Sequence, residues 1–245
     1  MPDDARRALL AELIDHAPLF PPASLPVDEA LEEDRRFRAG PDGWLVRRFV
    51  VPASRFHELG EVEVPLAVVV DGTDCAEWVD DPRVAAIETR SPDFESRGRE
   101  VFVEVDLGEG LPNRLEQLSA LGLRAKVRCG GARVPTVEEL AEFIRTCRAL
   151  GLPFKATAGL HHPVRSGEEH GFLNVIAAAL HGDEEAALSE DADGFSLTAD
   201  GFAWRDRFAS ADLLTRLRAD VFASFGSCSA QEPADELRAL GFLRV

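Results

Sequence analysis

Only two lysines stand among 25 arginines in this chain: Lys126 in "RAKVRCGG" and Lys155 in "PFKATAGLHHPV". Arginine stays protonated, whereas a lysine amine sheds its proton when desolvated or set beside another cation, and can then attack a carbonyl carbon. Lysine kept at two neighbouring sites in an arginine-rich chain therefore suggests amine chemistry. Lys155 is the expected nucleophile, with Lys126 and Arg128 depressing its pKa or holding an anionic group. Glu104 in "EVFVEVDL" is the expected orienting carboxylate or acid/base, and His161 and His162, just beyond Lys155, are the expected proton shuttles. The competing reading is structural: both lysines stay charged and pair with Glu104.

Four of the six histidines fall between 161 and 181. His161 or His162 with His170 and a carboxylate is the pattern a metal-assisted hydrolase or isomerase would use, although the spacing matches no specific metal motif. Thr157, His170, Asn174 and Ser227 are the remaining candidates for substrate contact, Asn174 having local packing as its alternative. Cys228 in "SFGSCS" reads as a buried, inert thiol, with a nucleophile as its alternative, and the absence of a Gly-x-Ser-x-Gly elbow argues against a hydrolase. No cofactor is expected, a metal being the alternative.

The elements that must position these residues alternate. Strands are predicted at 44–51, 65–72, 84–90, 100–107, 124–131, 153–159 and 223–229. Helices are predicted at 112–121, 136–151, 171–181, 210–222 and 232–241. Thr136, Glu139 and Gly151 mark the clearest helix, with a capping box at its start and a glycine stop. Strand–helix alternation of this length implies an α/β fold, a TIM-like (β/α) barrel irregular in its last third. The segment 194–206 is open between a hairpin, a loop excursion and a broken unit. Helices at 3–16 and 27–38, separated by the prolines at 18, 21, 22 and 26, make residues 1–43 an N-terminal helical extension and 44–245 the barrel domain.

Strand alternation then sorts the faces. Val101, Val103, Val105, Ala125, Val127, Cys129, Phe154 and Ala156 suit helix packing. Phe102, Glu104, Lys126, Arg128, Lys155 and Thr157 fall on the barrel interior, and Glu88 and Arg90 extend that face. Buried charges of this kind must be paired, so the polar set is expected to form one network.

The net charge of −17 opposes a nucleic-acid partner and an anionic membrane surface alike. No apolar run is long enough to span a bilayer, and the start of the chain is charged and amphipathic rather than a signal peptide. The four cysteines form no C-x-x-C pair, so a cytoplasmic protein with reduced thiols and a small-molecule substrate is expected; a homo-oligomer is compatible with this.

The segments "LFPPAS", "RRFVVPAS", "KVRCGG", "FKATAGLHHPV", "HGFLNV" and "SFGSCS" resemble those of a family of bacterial proteins of unknown function, nearly end to end. "KATAG" is also similar to the imine-forming strand of deoxyribose-phosphate-type class I aldolases. That likeness implies a Schiff-base role for Lys155 and lyase or aldolase activity on a small carbonyl or phosphorylated substrate. The second lysine precedes rather than follows it here, which departs from that family's order. A non-catalytic small-molecule-binding barrel is the remaining alternative.

Overall fold

Eight parallel strands close into a barrel in the computed structural model, which describes residues 4–72, 78–95 and 97–243. Around the barrel they run β1 (Ile14–His16), β2 (Val46–Pro52), β3 (Leu66–Val69), β4 (Val84–Thr89), β5 (Glu100–Glu104), β6 (Arg124–Arg128), β7 (Phe154–Thr157) and β11 (Phe222–Ser227), which pairs again with β1. This is the TIM-like architecture that the alternation implies.

The N-terminal segment does not behave as an extension. Helix α1 (Ala5–Leu10) stops before Glu12, whose φ of 51° no helix continues, and the chain then enters the barrel as β1. The apolar spacing at 9, 10, 13 and 14 mimics one helix but spans a helix and a strand, so the helix expected over 3–16 and the boundary at residue 43 are both corrected. Arg218 fixes the junction by donating to the carbonyls of Leu9, Ala11, Glu12, Phe222 and Ala223. The helix expected at 27–38 is present as α2 (Val27–Ala39), but it lies between barrel strands β1 and β2 rather than in an extension.

Helix α3 (Leu111–Ala120) follows β5, and helix α4 (Val137–Leu150) follows β6 with the Thr136–Glu139 capping box in place and Gly151 left-handed. The return from β7 to β11 is long. It carries helices α5 (Phe172–His181) and α6 (Glu184–Leu188), and then an antiparallel sheet of β8 (Phe195–Leu197), β9 (Gly201–Trp204) and β10 (Arg207–Ser210) outside the barrel. Helix α7 (Ala211–Asp220) closes the excursion. The open segment 194–206 is thus a hairpin within that sheet, and the barrel closes through β11 before helix α8 (Gln231–Ala239).

Each strand presents one face to the helices and one to the lumen. Val101, Val103, Ala125, Val127, Phe154 and Ala156 sit in the core between barrel and helices. Val50, Ala67, Ala86, Phe102 and Ala223 form a separate apolar cluster inside the barrel. At the N-terminal end of the lumen, Glu100 binds Arg47, Arg48 and Arg124. Among the described residues, no helix is long and apolar enough to cross a membrane.

Candidate active site at the C-terminal mouth of the barrel

The apolar lumen cluster supports a layer of charge. β5, β6 and β7 run in register with Glu104 beside Lys126 and Lys126 beside Lys155, so the inward-facing polar residues of the three strands become neighbours. Lys155 is fully buried, with its Nζ 5.5 Å from the Phe102 ring centre. It donates to Asp15 Oδ2 at 2.5 Å and to Glu88 Oε1 at 2.6 Å. Lys126 Nζ donates to Glu88 Oε2 at 3.0 Å and lies 3.0 Å from Glu104 Oε2. Glu104 also pairs with Arg90 at 2.5 Å, and Arg128 stands 3.9 Å from it. Ser224 Oγ donates to Asp15 Oδ2 at 2.7 Å.

A buried charge is tolerated when its partners replace water. Burial alone would raise the Glu88 carboxyl, but Lys155 and Lys126 outweigh it and hold Glu88 down at about 2. Asp15 is likewise held below the usual carboxylate range, burial being outweighed by Lys155 and Arg48. For Lys155, burial favours the neutral amine, yet Asp15 and Glu88 overcome it and raise the pKa above the ordinary value. The expectation that Lys126 and Arg128 depress Lys155 is overturned for a geometric reason: its nearest charges are two carboxylates.

Above this layer opens a cavity of about 410 Å³. Its wall includes Glu88, Lys126, Arg128, Thr157 and His161, with Phe20, Pro21 and Pro22 from the loop after β1 on another side. "LFPPAS" therefore lies at the C-terminal mouth, the face where barrel enzymes keep their chemistry. Lys126 is the amine on the cavity wall, and Lys155 lies beneath it, outside the lining.

The other candidates separate. His162 Nδ1 is 2.7 Å from Glu236 on α8 and its Nε2 is 3.5 Å from Glu169, so it ties its loop to α8 rather than facing the cavity. His170 is buried; its Nε2 donates to the Pro135 carbonyl at 2.8 Å, and burial lowers its pKa, which favours the neutral ring. Asn174 accepts from Arg165 N at 2.8 Å and donates to the carbonyls of Ala187 and Glu190, so it fastens loops. Ser227 is buried and donates to the Ser229 carbonyl at 2.6 Å. The structure does not bring His170, Asn174 and Ser227, expected as substrate contacts, to the cavity: none lines it, and the His170 Nε2, the Asn174 amide and the Ser227 hydroxyl bond locally instead. Cys228 does line it, with its thiol pKa pushed up by burial; Cys75 lies outside the described residues.

Among the described residues, no group of three or more His, Cys, Asp or Glu side chains is placed to hold a metal ion. His161 and His170 illustrate why: one lines the cavity, while the other is turned to Pro135.

Asp15 and Ser224 are site residues that the sequence reading missed. An acid inside the apolar run "LLAELIDHAPL" was a usable signal, hidden by the helix assigned across it. Arg48, buried in "LVRRFVV" and close enough to help hold Asp15 ionised, was concealed by the strand's apolar frame. No protein-family model matches this chain, and no curated protein matches it in sequence.

Proposed function

We propose that this barrel is an enzyme that binds a small carbonyl compound as an imine, in the manner of a lyase or aldolase, with Lys126 as the amine. The observation that carries this reading is the difference between the two lysines. Lys126 reaches the cavity between two carboxylates, and Lys155 is sealed beneath it. The role first expected of Lys155 therefore passes to Lys126, on the preceding strand.

The chemistry balances with the groups present. Glu104, 3.0 Å from Lys126 Nζ, takes a proton from the ammonium. The free amine adds to the carbonyl carbon, and its electron pair becomes the new C–N bond. A second N–H proton moves from the nitrogen to the carbonyl oxygen. The proton taken by Glu104 is relayed by His161, on the cavity wall, to the resulting hydroxyl, which leaves as water as the nitrogen electron pair closes the C=N bond. The iminium formed carries the positive charge that the ammonium carried, and Lys155 keeps Glu88 paired while Lys126 is the neutral amine. That cation is an electron sink for breaking a bond next to the former carbonyl carbon. Lys155, held charged by Asp15 and Glu88, fixes the position of Glu88.

Borohydride trapping with a panel of small aldehydes and ketones, read by intact mass and peptide mapping, tests this. With only two lysines in the chain, assignment is direct. The expected result is one reduced adduct on the Lys126 peptide, absent in Lys126→Arg. A panel that leaves no adduct on Lys126 overturns the reading.

A further inference from the structure

One cation at the mouth has no hydrogen-bonded partner among the described residues. Asp15, Glu88 and Glu104 are bound by Lys155, Lys126 and Arg90. Glu104 is already bound by Lys126 and Arg90, so the cation left over is Arg128. Its guanidinium stands 3.9 Å from Glu104 and makes no hydrogen bond to any other described residue. Arg128 is on the cavity wall, half exposed. The remaining carboxylate on that wall, Glu169, faces His162 at 3.5 Å. A guanidinium whose N–H groups have no hydrogen-bonded partner among the described residues, in the cavity of a chain with net charge −17, is a local feature, not a reflection of the whole surface.

The backbone keeps that guanidinium in place. Gly131 has φ of 91°, and a Cβ added there would come within 2.8 Å of Arg128 Nη2. The neighbouring Gly130 packs so closely on Gly159 that a Cβ would lie 2.8 Å from its Cα. The bare β6–α4 loop thus rests on the β7–α5 loop and lets the Arg128 head lie over Gly131.

Resting on the imine reading, we propose that Arg128 is the carboxylate-binding residue of the site and that the substrate is a short-chain oxo acid. Lys126 and Arg128 are two residues apart on one strand face, so their side chains start about 6.6 Å apart and point the same way. A ligand joined to the amine through its carbonyl carbon, with a carboxylate adjacent to that carbon or one carbon away, suits this spacing. The planar fork of arginine fits two carboxylate oxygens, and a single guanidinium with its donors free matches a monoanion better than a phosphate dianion.

Competitive borohydride trapping compares pyruvate with acetone, which lacks only the carboxylate, and with dihydroxyacetone phosphate. Binding of lactate, which has the carboxylate but no carbonyl, is measured by calorimetry. Pyruvate is expected to be trapped at least tenfold faster than acetone. That advantage should collapse in Arg128→Gln and in Gly131→Ala, which keeps the charge but displaces it. Equal trapping of pyruvate and acetone overturns the proposal while leaving the imine intact, and preference for the phosphate ester overturns the choice of carboxylate. Lactate binding that needs Arg128, with no trapping of any carbonyl, supports the subsite and retires the imine.

Discussion

Lys126 and Lys155 are register partners on adjacent strands and divide the two oxygens of one carboxylate, Glu88, between them. Two ammonium groups side by side in a lumen repel unless an anion separates them, and Glu88 is that anion. The arrangement gives the pair unequal access to the cavity: Lys155 has a second buried partner in Asp15, while Lys126 leans toward Glu104 and the mouth.

Glu88→Gln removes the shared anion and leaves both amines facing a neutral amide. Removing one partner of a buried ion pair costs about 3–5 kcal/mol, because an uncompensated charge stays behind. Urea unfolding should show a loss of that order, with Lys155→Met in the Glu88→Gln background recovering part of it. A loss below about 1 kcal/mol would mean that the two lysines find other partners.

The same charges set the pH dependence of stability. Asp15 and Glu88 bind protons more weakly in the folded chain than at their ordinary values of 3.8 and 4.5, Glu88 down to about 2. Below the ordinary values the unfolded chain takes up protons that the folded chain refuses, so stability falls as pH drops from about 5 toward 2 and is fully present above that window. Lys155 has the opposite sign: its folded pKa lies above 10.5, so its contribution is complete below 10.5 and is lost as pH rises through the folded value. Urea midpoints between pH 7 and 2.5 should decline in the wild type and decline less in Glu88→Gln.

The strand faces were legible because alternation is a local property: Lys126, Arg128, Lys155 and Glu104 are all inward or at the mouth, as their odd–even positions require. What the sequence hid is what depends on partners far along the chain. Asp15 lies 140 residues from Lys155, and an acid inside an apolar run does not say which cation it meets. Nor does a residue type reveal how its polar atoms are used. Asn174 and His170 look like ligands in sequence, but each meets a backbone group of a loop brought near by the fold.

Asn174→Ala gives that last point a measurable form. The side chain satisfies one N–H and two carbonyls, two of these bonds at 2.8 Å and one at 2.9 Å, in a fully buried position. Each buried backbone group left without a partner costs roughly 1–3 kcal/mol. Two of the three backbone groups are only part-buried, so thermal or urea unfolding should show a loss of about 1–3 kcal/mol, while trapping at Lys126 proceeds at the wild-type rate at a temperature where the variant is folded. Trapping abolished in a folded Asn174→Ala would return this residue to the site.

Deleting residues 1–17 separates two views of the N-terminus. If the segment only decorated the barrel, residues 18–245 would fold alone. The structure instead gives this segment strand β1, which hydrogen-bonds to β2 on one side and β11 on the other, and it supplies Asp15 to Lys155. Its loss opens the barrel, exposes two strand edges and leaves Lys155 with one carboxylate instead of two. The truncated chain should lack a cooperative unfolding transition and should associate through those edges. Asp15→Asn, which retains the strand, should still unfold cooperatively at a lower urea concentration than the wild type. Cooperative, wild-type-like unfolding of the truncated chain would show that β1 is dispensable and that the barrel closes without it.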